Sequence, residues 1–314
     1  LSINWKIEPL EAIRVLVMPS TCSPLRYPGG KSSFAPTLVD VIEANALFDG
    51  HYAEAYAGGG GLALAMLFRA YVRHIHINDI DPSIASFWRA VLNHHQDFIK
   101  LIENTPVTIT EWEHQKRIHL AQNTDDTLRL GFATFFLNRT NRSGIIKNAG
   151  PIGGRNQNGN YTLGCRYNKA ALIAKIERLA YYKDRIHPHD LDALDFLDYV
   201  EADLPQQTIA YIDPPYFNKG AGLYTSYYEP HDHVAVADRV LALSKPWLAT
   251  YDRVEEIQQL YASQQQYALY LNYSLQAKRK GEGILIASPG LRIPAPLALL
   301  SMSSNREGVP SQIN

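Results

Sequence analysis

The stretch from His51 to Pro82 restricts what this chain can fold into more than any other part of it. His51 to Tyr56 is a short strand-like run that leads to four consecutive glycines, Gly58 to Gly61. Gly61 to Tyr71 is rich in alanine and leucine, as a buried helix is, and His74 to Asn78 alternates through Ile75 and Ile77 as a strand does. Asp81 and Pro82 then supply an N-cap and a first helical residue. Strand, glycine turn, helix and strand make a βαβ unit, whose strands run parallel. A parallel sheet needs helices on both faces. Farther along, Thr208 to Ile212 reads as a buried strand stopped by Pro214 and Pro215, and Trp247 to Thr250 and Ile284 to Ala287 read as further strands. The expected class is α/β, a mostly parallel sheet with helices on both faces.

The glycine cluster has chemistry as well as shape. Gly58, Gly60 and Ala63 fit the G-x-G-x-x-G/A spacing, and Asp79 follows 21 positions after Gly58 at the end of the next strand. Glycines allow close backbone approach to a ligand, and an acid at the second strand end can accept both ribose hydroxyls. The pattern points to a nucleoside cofactor without choosing between NAD and S-adenosyl-L-methionine (AdoMet). Leu25 to Ser32 contains Gly30-Lys31-Ser32, but Leu25 stands where a P-loop needs its first glycine. Lys31 is instead suited to pair with a small carboxylate.

The segment that narrows the chemistry is Asp213-Pro214-Pro215-Tyr216, fed directly by the buried strand. It falls at a carboxyl sheet edge, where α/β proteins bind ligands. The amino nitrogen of adenine is a poor nucleophile because its lone pair is delocalised into the ring. Two acceptors that take both amino hydrogens make it more tetrahedral and free the lone pair. Asp213 offers a carboxylate, the Pro214 carbonyl is a second acceptor in a fixed orientation, and Tyr216 offers a ring for a base to stack on.

Taken in order, these segments resemble the Dam-like, alpha-class DNA adenine-N6 methyltransferases. The matching pieces are Pro28-Gly29-Gly30-Lys31, Ala57-Gly58-Gly59-Gly60, Ile77-Asn78-Asp79-Ile80-Asp81 and Asp213 to Tyr216, and the resemblance covers about residues 24–290. Two positions depart from the family pattern, Ala55 in place of a proline and Asp81 in place of an asparagine. The resemblance implies a Rossmann-like AdoMet-dependent methyltransferase sheet, plus a smaller, mostly helical inserted target-recognition domain. It implies that Tyr27, Lys31, Asp79 and Asp213 line the AdoMet site, with Lys31 on the methionine carboxylate and Asp79 on the ribose. Asp195-Phe196 resembles the pair that holds the cofactor adenine. No metal is implied.

Charge is unevenly spread. The net charge is −1, yet residues 106–185 hold 13 lysines and arginines against 6 acidic residues. A basic middle on an acidic body suggests a nucleic-acid face. The expected division is 19–105 with 186–290 as the AdoMet-binding catalytic domain and 106–185 as the DNA target-recognition domain, with flexible termini at 1–18 and 291–314. Phe135 to Gly144 resembles a Phe-x-x-Asn-Arg-x-x-Tyr/Ser-x-Gly segment of the family. Asn138, Arg139, Arg142, Lys147, Arg155, Arg166 and Lys169 are the DNA-contact candidates, since such side chains hold phosphates and read purine edges. Tyr161 and Tyr167 read as wedges or core. Tyr224, Tyr227 and Tyr228 read as base-pocket or loop residues.

The remaining features exclude rather than select. Two distant cysteines, Cys22 and Cys165, do not make a disulfide scaffold or a zinc ribbon. No apolar run reaches about 18 residues, the length of a membrane span. Residues 1–17 lack a signal-peptide layout, and Met18 is a candidate start. The family resemblance implies a cytoplasmic, bacterial or phage-encoded enzyme, expected to be monomeric, with duplex DNA as partner and a cognate restriction endonuclease as a further candidate. His187-Pro188-His189 and His231-Asp232-His233 read as surface histidines. Rival readings are methylation of RNA or of a glutamine side chain, an idle DNA-binding module, and NAD-dependent oxidoreduction.

Overall fold

The computed structural model describes residues 22–26, 31–217, 228–272 and 280–294. Tyr27, Tyr224, Tyr227, residues 1–18 and most of 291–314 lie outside them. Among the described residues, seven strands form one sheet in the order β3-β2-β1-β4-β5-β7-β6. They are β1 (His51–Glu54), β2 (His74–Asn78), β3 (Ile186–His189), β4 (Thr208–Ile212), β5 (Trp247–Asp252), β6 (Gln265–Asn272) and β7 (Lys280–Ala287). The first five run parallel, while β7 is antiparallel to both β5 and β6. The order reverses between β1 and β4. A cleft opens at such a reversal, beyond the carboxyl ends of the strands.

Helices cover both faces, as the βαβ pattern requires. Strand alternation splits β4, with Ile209 and Tyr211 in one core and Ala210 and Ile212 in the other. The first core is closed by α1 (Ala35–Ala44), α2 (Gly61–Phe68), α3 (Pro82–Asn93) and α4 (His95–Asn104). The second is closed by α8 (Ala193–Asp203), α9 (Pro230–Leu241) and α10 (Glu255–Leu260). Asp81 caps α3 through its Oδ1, which accepts from Ser83 N at 2.9 Å, with Pro82 next. Asp192 caps α8 in the same way, accepting from Leu194 N at 2.9 Å.

The basic region contributes α5 (Ile109–Ala121), α6 (Thr127–Thr140) and α7 (Lys169–Tyr181). Phe132, Phe135 and Phe136 of α6 join the first core, where Phe135 stacks on Phe87 at 6.2 Å. Gly131 permits this approach, since a Cβ there would stand 2.6 Å from the Ser86 carbonyl oxygen. The helices of the region are thus packed onto α3, while its irregular part, from Arg142 to Thr162, lies between α6 and α7.

The histidines are not isolated surface residues. His51, His74, His76, His187 and His189 come together across β1, β2 and β3. His51 Nδ1 lies 3.0 Å from His76 Nε2, and His74 Nδ1 lies 3.0 Å from His187 Nε2. Parallel register makes neighbours of residues far apart in sequence, which is why short-range spacing could not reveal the stack. His231 is exposed beside Glu229 and Asp232, as expected. His233 is fully buried among the rings of Phe217, Tyr228 and Tyr251. Among the described residues no group of three or more histidine, cysteine, aspartate or glutamate side chains is arranged to hold a metal ion.

Candidate active site

The glycine turn is built for close approach. Gly58 and Gly60 take positive φ angles of 50° and 58°. A Cβ on Gly60 would meet the Trp88 ring at 3.0 Å, and Trp88 Nε1 donates to the Gly58 carbonyl at 3.1 Å. Asn78, at the end of β2, ties two neighbouring loops together. Its Nδ2 donates to the carbonyls of Ala55 and Leu191, both at 3.1 Å, and its Oδ1 accepts from Leu191 N at 3.0 Å. Asp79 follows, half-buried, its Oδ1 accepting from Asp81 N at 2.9 Å. Burial pushes its carboxyl up to about 7, against the pull of the Asp81 and Gly58 N–H groups.

On the other side of the sheet reversal, β4 carries Asp213 to the same carboxyl edge. Lys31 Nζ donates to Asp213 Oδ1 at 2.6 Å and to Oδ2 at 2.5 Å. Thr250 Oγ1, from β5, donates to Oδ1 at 2.8 Å and is itself 2.8 Å from the Tyr211 hydroxyl. Lys31 is nearly covered, at 6% side-chain exposure, whereas Asp213 keeps 17%. Pro214 and Pro215 are buried. Tyr216 is buried too, and the Lys31 ammonium stands 5.6 Å from its ring centroid. The ring therefore faces the cation rather than lying open as a platform.

Two polar residues that sequence reading passed over complete the cluster. Thr250 orients the Asp213 carboxylate, and nothing in its local sequence marks it. Glu54, at the end of β1, is buried, and its Oε2 accepts from Ala63 N at 3.3 Å. Burial, and then the nearby Asp213 charge, raises its carboxyl to about 8. A carboxylate within an otherwise apolar strand, just before the glycine turn, was the signal available.

The Asp195-Phe196 pair lies on α8, the helix that follows β3. Asp195 is exposed on α8, and Phe196 is buried in the second core against His189 and Tyr199. The helical period sends the two side chains to different surroundings. The acid at the helix start is Asp192, whose charge adds to the burial that raises the Tyr56 and Tyr228 phenols. Those hydroxyls meet at 3.0 Å.

The basic candidates separate into two groups. Asn138 is fully buried, with its amide bonded to the backbone of Arg26 and Gly144. Arg139 donates to the carbonyls of Arg166 and Pro24, and burial lowers its guanidinium to about 10. Lys169 donates to the Glu103 and Thr105 carbonyls. These three hold the protein's own backbone. They sit where α6 and α7 meet the rest of the body, so burial turned their polar groups inward. Arg142 and Arg166 are exposed. Lys147 pairs with Asp81 at 3.3 Å, and Arg155 with Glu113 at 3.7 Å. Tyr161 is exposed, whereas Tyr167 is core.

A doubly covered sheet of order 3-2-1-4-5-7-6, with a glycine turn, Asp79 and Asp213 around its reversal point, is that of a Rossmann-like methyltransferase. The chain belongs to the D12 class N6 adenine-specific DNA methyltransferase family, which it matches over residues 27–275. No curated protein matches the sequence. Among solved structures it is similar to "Putative methyltransferase yhhF" from Escherichia coli, at 13% identity and a TM-score of 0.36, covering 84% of this chain and 89% of that one. It is also similar to protein LPL1258 from Legionella pneumophila, at 14% identity and a TM-score of 0.35, covering 88% and 91%. Among the described residues no helix is long and apolar enough to cross a membrane.

Proposed function

We propose that this protein methylates the N6 amino group of adenine in duplex DNA, with AdoMet as donor and the base flipped out of the helix. The observation that carries the reading is Asp213, partly open to solvent just after β4, on the same sheet edge as the glycine turn and Asp79. The residues suit the donor. Gly58 and Gly60 turn the backbone at positive φ, Asp79 can accept ribose hydroxyls, and Lys31 can meet a carboxylate. AdoMet bound there supplies an electrophilic methyl group on a sulfonium.

The protein's own groups do the rest. Lys31 exchanges Asp213 for the methionine carboxylate, which frees the Asp213 oxygens. Asp213 and the Pro214 carbonyl then each accept one amino hydrogen of the adenine, and the nitrogen lone pair faces the methyl. As the N–C bond forms, the methyl's bond to the sulfonium breaks, its electron pair leaves with a neutral thioether sulfur, and the proton leaving nitrogen passes to the Asp213 carboxylate. Thr250 holds that carboxylate in plane. Placing the two reactants in line supplies much of the acceleration. Flipping takes the base from the stack at a cost of a few kcal/mol. The exposed Arg142 and Arg166 are the phosphate-contact candidates.

The test is methyl transfer from labelled AdoMet to duplex DNA, RNA and protein, with wild type and Asp213→Asn. Transfer to adenine in duplex DNA, lowered about 10²-fold or more in the variant, is expected by comparison with the loss of one transition-state hydrogen-bonding group. Full activity in the variant, or transfer to RNA or protein alone, overturns the reading.

A further inference from the structure

The segment 138–144 reads in sequence as part of the DNA face, yet its best-made contacts go to the chain that leads to Lys31. Asn138 Oδ1 accepts from Arg26 N at 2.7 Å, and its Nδ2 donates to the Arg26 carbonyl at 2.7 Å and the Gly144 carbonyl at 2.8 Å. One side-chain amide thus takes both backbone groups of Arg26, as a neighbouring strand would. Gly144 closes on the same residue. Its φ is +75°, and a Cβ there would stand 2.5 Å from the Arg26 carbonyl oxygen.

The grip extends along the segment. The Arg26 guanidinium donates to the Asn141 carbonyl at 3.4 Å, and Arg139 Nη1 donates to the Pro24 carbonyl at 3.4 Å. Lys175, on α7, donates to the Ser23 carbonyl at 2.9 Å. Lys31 follows five residues after Arg26, and two of the four residues between them are glycines. With so few residues between them, where the Arg26 backbone is held limits where Lys31 can be placed.

We propose that Asn138 is a positioning residue for the methyl-donor site, fixing the Arg26 backbone five residues before Lys31 rather than touching DNA. The proposal rests on the reading of Lys31 as the AdoMet carboxylate anchor. A buried amide making three hydrogen bonds to backbone has little left to offer a base or a phosphate.

Asn138→Asp keeps the acceptor for Arg26 N but removes both donors and sets a carboxylate against two carbonyls. AdoMet affinity by calorimetry and duplex affinity without cofactor by fluorescence anisotropy are measured at a temperature well below melting. At least a tenfold rise in AdoMet Kd, duplex affinity within twofold of wild type, and kcat recovered at saturating AdoMet are expected. Unchanged AdoMet Kd overturns the proposal, whether duplex affinity falls or not. Lys31→Met separates the two readings: if it leaves AdoMet Kd unchanged, the anchor reading itself fails. If Asn138→Asp does not fold, amide exchange of the wild-type protein decides. AdoMet should slow exchange across 138–144, and no change there overturns the proposal.

Discussion

Lys31 and Asp213, 182 residues apart, meet through both carboxylate oxygens at 2.6 and 2.5 Å. The pair joins the segment expected to hold the donor to the residue expected to activate the acceptor. Without ligands each group neutralises the other, so productive binding has to separate them. On the proposed reading, the Asp213 carboxylate is released when another anion occupies Lys31.

The pair also governs how variants behave. Lys31 is almost fully covered, so Asp213→Ala strands a buried ammonium. Breaking a buried pair from one side costs about 3–5 kcal/mol, while removing both partners can be neutral. Urea denaturation should show Asp213→Ala destabilised on that scale, with most of the loss recovered in Lys31→Met/Asp213→Ala. A double variant as unstable as the single one contradicts this account.

Donor binding should depend on pH through Asp79. Its carboxyl sits at about 7, raised by burial, so near neutrality it is partly protonated. Only the ionised form accepts both ribose hydroxyls. AdoMet affinity should therefore fall as pH drops from 8 to 6, and Asp79→Asn should bind more weakly with a flatter profile. Calorimetric titration across that range checks both.

Glu54 makes the opposite kind of contribution, to stability. Its folded carboxyl stands at about 8, above the ordinary glutamate value, so the folded state holds the proton more tightly. The stability it adds is complete below the unfolded pKa and is lost as pH rises through 8, at up to about 1.4 kcal/mol per pH unit. Glu54→Gln should be more stable than wild type at pH 9 and close to it at pH 5. Equal stability at pH 9 would falsify the assignment.

The histidine stack has the reverse sign. Burial and the neighbouring imidazoles depress His76 to about 2 and His189 to about 4. Their neutral forms suit the folded state, so stability is present above the unfolded value near 6.5 and is lost as pH falls toward the folded values. Each such group steepens the loss by up to about 1.4 kcal/mol per pH unit. Glu54 and Asp79 offset part of this below neutrality, so the difference between variant and wild type is the measurement. His76→Leu should lose less stability than wild type between pH 6.5 and 4.5. Parallel curves would discount the stack.

Sequence reading located most of the fold. The strands at His74–Asn78 and Thr208–Ile212 and the cap at Asp81 are where the pattern puts them, because local alternation and turn chemistry decide such elements. The βαβ helix ends at Phe68 rather than Tyr71, and β7 begins at Lys280 rather than Ile284. Ends are set by neighbouring packing more than by composition. Lys31, Asp79 and Asp213 were picked out from the glycine and proline motifs near them in sequence, and the structure brings Lys31 and Asp213 together. Thr250 and Glu54 were harder to find, since their roles depend on which strands lie side by side.

What the sequence determined by itself was the α/β class, the family and the chemical type of the site, all carried by short ordered motifs. The tertiary structure alone decided which polar groups stay accessible and which are spent on the protein's own backbone. Asn138, Arg139 and Lys169 read as DNA contacts, yet hold backbone, because α6 and α7 pack onto the body and turn them inward. Five histidines drawn from three strands became one stack through parallel register. Such partnerships join residues far apart in sequence, and local pattern does not record them.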